Sequence, residues 1–135
     1  MVDLDPIEFE RLVRQLFEAM GLKAWSTQAS RDDGVDGVAV NEDPIMGGVC
    51  VIQAKRYRNV VSTEAVRALA GVMGQMKASR GVLVTTSWFG KASHDFAAEH
   101  GRIQLIEGTN LKHMLLEFLG LDVVIGELKR APRRL

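Results

Sequence analysis

Gln53 and Lys55 close an otherwise apolar run, Val49-Cys50-Val51-Ile52. Strand residues two apart share a face, so the amide and the ammonium are expected on one side of a strand. Asp36 lies in the preceding segment, within Asp32-Asp33-Gly34-Val35-Asp36-Gly37. A hairpin between the two strands would carry it to the same place, and its flanking glycines leave room for a bulky phosphate. One carboxylate, one amide oxygen and one ammonium then converge at the edge of a sheet, with the Ala54 backbone carbonyl among them. Open α/β sheets commonly bind ligands at such edges.

This set of groups suits phosphodiester hydrolysis. Magnesium prefers oxygen ligands and commonly takes only one or two carboxylates, leaving the rest of its shell to water and substrate phosphate. A bound cation polarises the phosphoryl group and acidifies its water. A lysine beside that water stabilises the developing negative charge. Mg2+ is therefore the expected cofactor, with Mn2+ as a substitute. His94, His100 and His113 have no ligand spacing, and Cys50 is the only cysteine, so a zinc site is not expected. Neither a nucleophile elbow nor a P-loop occurs.

The elements that must position these groups are legible from periodicity. Asp5-Pro6-Ile7-Glu8 starts a helix: a capping Asp, Pro at the first helical position, Glu three residues after the cap. Phe9, Leu12, Val13, Leu16, Phe17 and Met20 follow at helical spacing, and Gly21 stops the helix. Strands are expected over 23–28, 35–40 and 49–55, with turn chemistry at Arg31-Asp32-Asp33-Gly34 and from Asn41 to Gly48. A helix over 62–76 presents Val66, Leu69, Val72, Met73 and Met76 to the core, and its Gly71 and Gly74 suggest close packing on the sheet. A buried strand over 81–85, a helix over 91–100, a strand over 103–106 and a helix over 109–119 complete the pattern, with 123–125 as one more edge strand. The order αβββαβαβα predicts an α/β fold, a central mixed sheet flanked by helices.

In that context the residues resemble a known family. Asp36, followed by Gln53-Ala54-Lys55 at the end of the next strand, looks like the PD-(D/E)xK nuclease core. It is most similar to the Mrr-type restriction endonucleases, in which Gln commonly takes the second acidic place. The resemblance runs from about Asp5 to Leu119 and includes Phe9-Glu10, Asp-Gly-Val-Asp, Gln-Ala-Lys-Arg-Tyr and Gly-Val-Leu-Val-Thr-Thr-Ser-Trp-Phe. It implies a catalytic set of Asp36, Gln53, Lys55 and Glu10, with metal held by Asp36, Gln53 and Ala54. It implies double-stranded DNA as substrate, a 5′-phosphate product and, in many members, a separate recognition domain. The departure from the general pattern is the neutral Gln53, which removes one negative charge from the metal site.

Each residue also has a plainer use. Asp36 can brace its turn, Lys55 can be a surface lysine with a buried stem, and Gln53 can orient water or satisfy a backbone group. Glu10 can be a solvent-facing helix residue. Arg56, Tyr57 and Arg58 can bind phosphates or form a solvated loop. Thr85, Thr86 and Ser87 can contact DNA or cap the next turn.

Lysine plus arginine equal aspartate plus glutamate, 17 against 17, so net charge gives no attraction to a polyanion. No helix-turn-helix, zinc finger or basic helix remains outside the core. The expectation is one domain over 1–135, with a core of about 5–119 and a basic tail at 126–135. It would cut DNA within a restriction or defence system, as a module excised from or partnered with a longer protein that selects the target. A homodimer is left open. With no apolar run near the roughly 18 residues of a membrane helix and no signal-like start, the chain reads as soluble and cytoplasmic. The rival readings are a non-catalytic nucleic-acid or protein-interaction module on the same fold, and a junction-resolving or repair nuclease.

Overall fold

The computed structural model describes residues 2–3, 6–29, 35–41, 45 and 47–124. The Asp5 cap, the 31–34 turn and the 126–135 tail expected from the sequence lie outside the described residues.

After a short strand β1 (Val2–Asp3), helix α1 spans Pro6–Ala19, with Pro6 at its first position. Three strands follow: β2 (Lys23–Ala29), β3 (Val35–Asn41) and β4 (Gly48–Lys55). They form an antiparallel meander. Helix α2 (Thr63–Met76) then crosses to β5 (Arg80–Thr85), and α3 (Lys91–His100) crosses to β6 (Ile103–Ile106). Both new strands run parallel to β4, which is what helical crossovers permit. The sheet order is β2-β3-β4-β5-β6. Helix α4 (Gly108–Leu119) leads to β7 (Val123–Val124).

The mixed sheet carries an apolar core on each face. On one, Phe9, Leu12, Val13, Leu16 and Phe17 of α1 and Leu111 and Leu115 of α4 pack with Cys50, Ile52, Ala54, Val82, Val84 and Ile106. On the other, Val66, Leu69 and Met73 of α2 and Ala97 of α3 pack with Val51, Leu83, Ile103 and Leu105. Strands β4 and β5 are covered on both faces, so their sequences run apolar instead of alternating. Burial pushes the Cys50 thiol up to about 11, against a smaller opposing pull from Arg80. A thiol held neutral in this way behaves as a small core residue.

The structure departs from the sequence reading in three places. Residues 123–124 do not join the central sheet; they pair in parallel with β1, a strand too short to leave a periodic signal. Met76 is largely exposed, because α2 ends there and Lys77 takes the left-handed conformation. Gly71 and Gly74 are exposed, and a Cβ at either would meet nothing within 4 Å. The close approach lies on the sheet instead: a Cβ at Gly81 would overlap Met73 and press on Leu69.

Candidate active site

The β3–β4 register sets Asp36 directly opposite Gln53 and Val35 opposite Ala54. Because β3 runs antiparallel, its first residues stand at the C-terminal end of β4. In the parallel β4–β5 ladder, Gln53 stands beside Leu83, Ala54 beside Val84 and Lys55 beside Thr85. Alternation fixes the faces. Ala54 follows Cys50 and Ile52 towards α1 and α4, whereas Gln53 and Lys55 continue the line of Val51 on the α2–α3 side. Val51 is buried, but Gln53 and Lys55 are half-buried, so the line emerges from the core at its last two positions. Register thus places Asp36, Gln53 and Lys55 in one row; directly paired strand residues sit about 4.5–5.5 Å apart at Cβ.

Glu10 is not brought to the row by the strands. Its neighbours Phe9 and Val13 pack on the opposite face of the sheet, and its own side chain lies outside the described residues. The Asp36 side chain is likewise outside them, so its placement is that of the backbone. Among the described residues, no three His, Cys, Asp or Glu side chains are grouped as a metal site. The row itself offers a carboxylate-bearing and an amide-bearing position and no sulfur or imidazole. Such hard oxygen donors fit magnesium, and the row lacks the sulfur and imidazole that dominate zinc sites.

Beyond the row, β4 and β5 continue side by side. The Lys55 carbonyl accepts from the Thr85 hydroxyl at 2.9 Å and from the Thr86 N–H at 3.3 Å. The Thr86 hydroxyl accepts from the Tyr57 N–H at 3.0 Å and donates to the Tyr57 carbonyl at 2.8 Å. Thr85 Oγ1 also takes the Ser87 N–H at 3.1 Å and lies 3.0 Å from the Ser87 hydroxyl. The Lys55 ammonium lies 6.0 Å from the centre of the Tyr57 ring. Arg56 and Tyr57 are half-buried and Arg58 is exposed.

These bonds change the part expected of two residues. Thr86 and Ser87 are only 7% and 2% exposed, and their hydroxyls are engaged inside the protein. Thr86 ties its segment to Tyr57, and Ser87 bonds Thr85 within its own segment. Thr85, which the sequence reading set beside Thr86 and Ser87 near this sheet edge, is fully buried and bonds the Lys55 carbonyl. The signal was three hydroxyl residues in succession at the end of an apolar strand, where their oxygens reach nearby backbone.

A second tie stands one strand over. Glu107, at the start of α4, accepts the Phe89 N–H at 2.8 Å and contacts His94 Nε2 at 3.1 Å. This carboxylate joins the β5–α3 loop, α3 and the β6–α4 junction, and it takes no part in the Asp36 row.

A family model described as a restriction endonuclease, the Mrr catalytic domain, matches residues 1–115. The type IV methyl-directed restriction enzyme EcoKMrr of Escherichia coli (strain K12) is 30% identical over 122 residues, 87% of this chain and 40% of that protein. The chain therefore spans about two fifths of the length of this curated relative. Two solved structures share the fold across 87% of the chain. The DNA modification-dependent restriction endonuclease AspBHI matches with a TM-score of 0.65 and 23% identity, over 32% of its own chain. The MspJI restriction endonuclease in complex with a 27-mer oligonucleotide matches at 0.53 and 19%, over 28% of its chain. With the family match extending from α1 through β6 and most of α4, the chain belongs to the Mrr-type restriction endonuclease catalytic domains.

Proposed function

We propose that this chain is a magnesium-dependent DNA endonuclease module, with Asp36, Gln53 and Lys55 as its working row. The observation that carries the reading is the pairing of Asp36 with Gln53 across β3 and β4, with Lys55 two positions on. Family membership supplies the reaction class. Asp36 and Gln53 would hold the cation, helped by the Ala54 carbonyl, and Glu10 would join only by reaching past the strand end. Magnesium bound there supplies positive charge to the phosphoryl oxygens and an acidified water. The Lys55 ammonium stabilises the negative charge that develops on the phosphate and holds the attacking water by a donated hydrogen bond. Tyr57, Arg56 and Arg58 follow the row directly, where a DNA backbone would pass.

Target choice belongs outside this chain. Sequence readout needs an element that enters a groove with side chains reaching base edges. The described residues are taken up by the central sheet, its flanking helices and the short β1–β7 pair, and the chain carries no net charge. Phosphate contacts alone position DNA without reading it. The names of EcoKMrr and AspBHI speak of methyl-directed and modification-dependent action. In this protein, discrimination of that kind would come from a further domain or subunit.

The test is nicking of supercoiled plasmid with magnesium and with a chelator, followed by linear, branched and methylated duplexes. Cleavage only with the metal, weak and without a consensus at the cut ends, is expected. No cleavage with magnesium or manganese, but retained DNA binding, would favour a non-catalytic module, and preference for branched DNA would favour a junction or repair nuclease.

A further inference from the structure

We propose that Thr86 is a positioning residue for Lys55, acting through Tyr57; the proposal rests on the reading of Lys55 as the catalytic ammonium. The regular ladder between β4 and β5 ends at Lys55 and Thr85. Pairing resumes at Val61 and Phe89, where the Val61 N–H donates to the Trp88 carbonyl at 2.9 Å. Between these points the Thr86 side chain bridges the two segments. The Thr86 hydroxyl receives the Tyr57 N–H and donates to the Tyr57 carbonyl, so a single oxygen fixes both backbone polar groups of Tyr57. A threonine hydroxyl has one proton and two lone pairs, and this arrangement uses the proton and one lone pair.

The fixed residue is the one that faces the ammonium. Tyr57 sits two positions after Lys55 and its ring centre lies 6.0 Å from Nζ, within the range of a cation–π contact. The other end of Lys55 is fixed as well, since its carbonyl accepts from Thr85 Oγ1 and the Thr86 N–H. Backbone and head group of Lys55 are therefore held from two successive residues at the end of β5. Placement of a reacting group is worth much: a shift of about 1 Å can cost a hundredfold in rate. Valine at 86 would keep the shape and remove both bonds to Tyr57. Serine would keep the hydroxyl.

The experiment is single-turnover cleavage of a duplex by the full chain with magnesium, across a range of enzyme concentrations, for Thr86→Val, Thr86→Ser, Tyr57→Leu, Tyr57→Phe and Lys55→Ala. Thr86→Val and Tyr57→Leu should each lose about tenfold or more in the maximal rate, while Thr86→Ser and Tyr57→Phe each recover most of what the matching change loses. Combining Thr86→Val with Tyr57→Leu should cost no more than the worse single change, because both act on one contact. Thermal melting identifies any variant that does not fold; should Thr86→Val be one, Tyr57→Leu against Tyr57→Phe decides. A folded Thr86→Val with wild-type rate, a loss confined to half-saturation, or additive losses in the double variant would overturn the proposal. Wild-type cleavage by Lys55→Ala overturns the reading of Lys55 and this proposal with it. A dead Lys55→Ala beside an unaffected Thr86→Val and Tyr57→Leu overturns this proposal alone.

Discussion

The two ends of β4 and β5 are built for different purposes. At the end where β5 begins, Gly81 has no side chain because Met73 and Leu69 occupy its space, and Cys50 is buried with its thiol held neutral. At the other end the apolar line stops, Gln53 and Lys55 emerge half-buried, and hydroxyl groups take over the work of joining the strands. Ser79 also ties the first end, giving its N–H and its hydroxyl to the Val49 carbonyl, so the ends differ in packing and in the polar groups they expose. The difference teaches where each kind of substitution should act: on stability at the packed end, on cleavage at the polar end.

The largest effect is expected from Asp36. Asp36→Asn should remove metal-dependent cleavage, a loss on the order of 10²-fold or more, and leave melting near wild type. Its partner across the strands gives a finer test. With one carboxylate in the row, magnesium binding by the free protein should be weak, and Gln53→Glu should tighten it in calorimetry. Equal affinity in the two proteins would remove Gln53 from the neighbourhood of the metal.

Glu107 sharpens the comparison, because it lies towards the polar end of the sheet yet serves structure. Glu107→Ala leaves the Phe89 N–H without its acceptor, which should cost about 1–3 kcal/mol. Urea unfolding should show that loss, and cleavage at a temperature where the variant is folded should keep its rate. A rate loss without a stability loss would move Glu107 into the site.

At the packed end, Gly81→Ala should destabilise by about 1–3 kcal/mol through overpacking against Met73. Gly71→Ala, on the open face of α2, should instead stabilise by up to about 1 kcal/mol. Opposite signs for two Gly-to-Ala changes are a direct check on which glycine the packing requires.

Near neutral pH the smallest effect is that of Cys50. With its pKa raised to about 11, the folded protein keeps the thiol protonated where an unfolded chain ionises. The raised value means that stability is intact below the ordinary thiol range and declines from about pH 9 towards about 11. Thiol reagents at pH 8 should label native protein far more slowly than urea-unfolded protein.

Much of this architecture was legible before the structure. The alternation of Gln53 and Lys55 after Val51 gave their shared face, and the hairpin spacing gave Asp36 opposite them. The helices followed from stripes such as Phe9, Leu12, Val13, Leu16 and Phe17. What the sequence concealed depends on contacts between distant segments. The pairing of residues 2–3 with 123–124 involves too few residues to show a period. Gly71 and Gly81 are the same residue type, and only the position of Met73 tells which is needed. The bond from the Thr86 hydroxyl to the Tyr57 carbonyl joins residues 29 apart in the chain, which no local pattern shows.

The most direct test of the central claim is the cleavage rate of Lys55→Ala on supercoiled plasmid with magnesium, beside wild type and with melting curves for both. A row built around this ammonium predicts a loss of about 10² to 10³ in rate at unchanged thermal stability. Wild-type cleavage by the folded variant would contradict it and remove Lys55 from the chemistry.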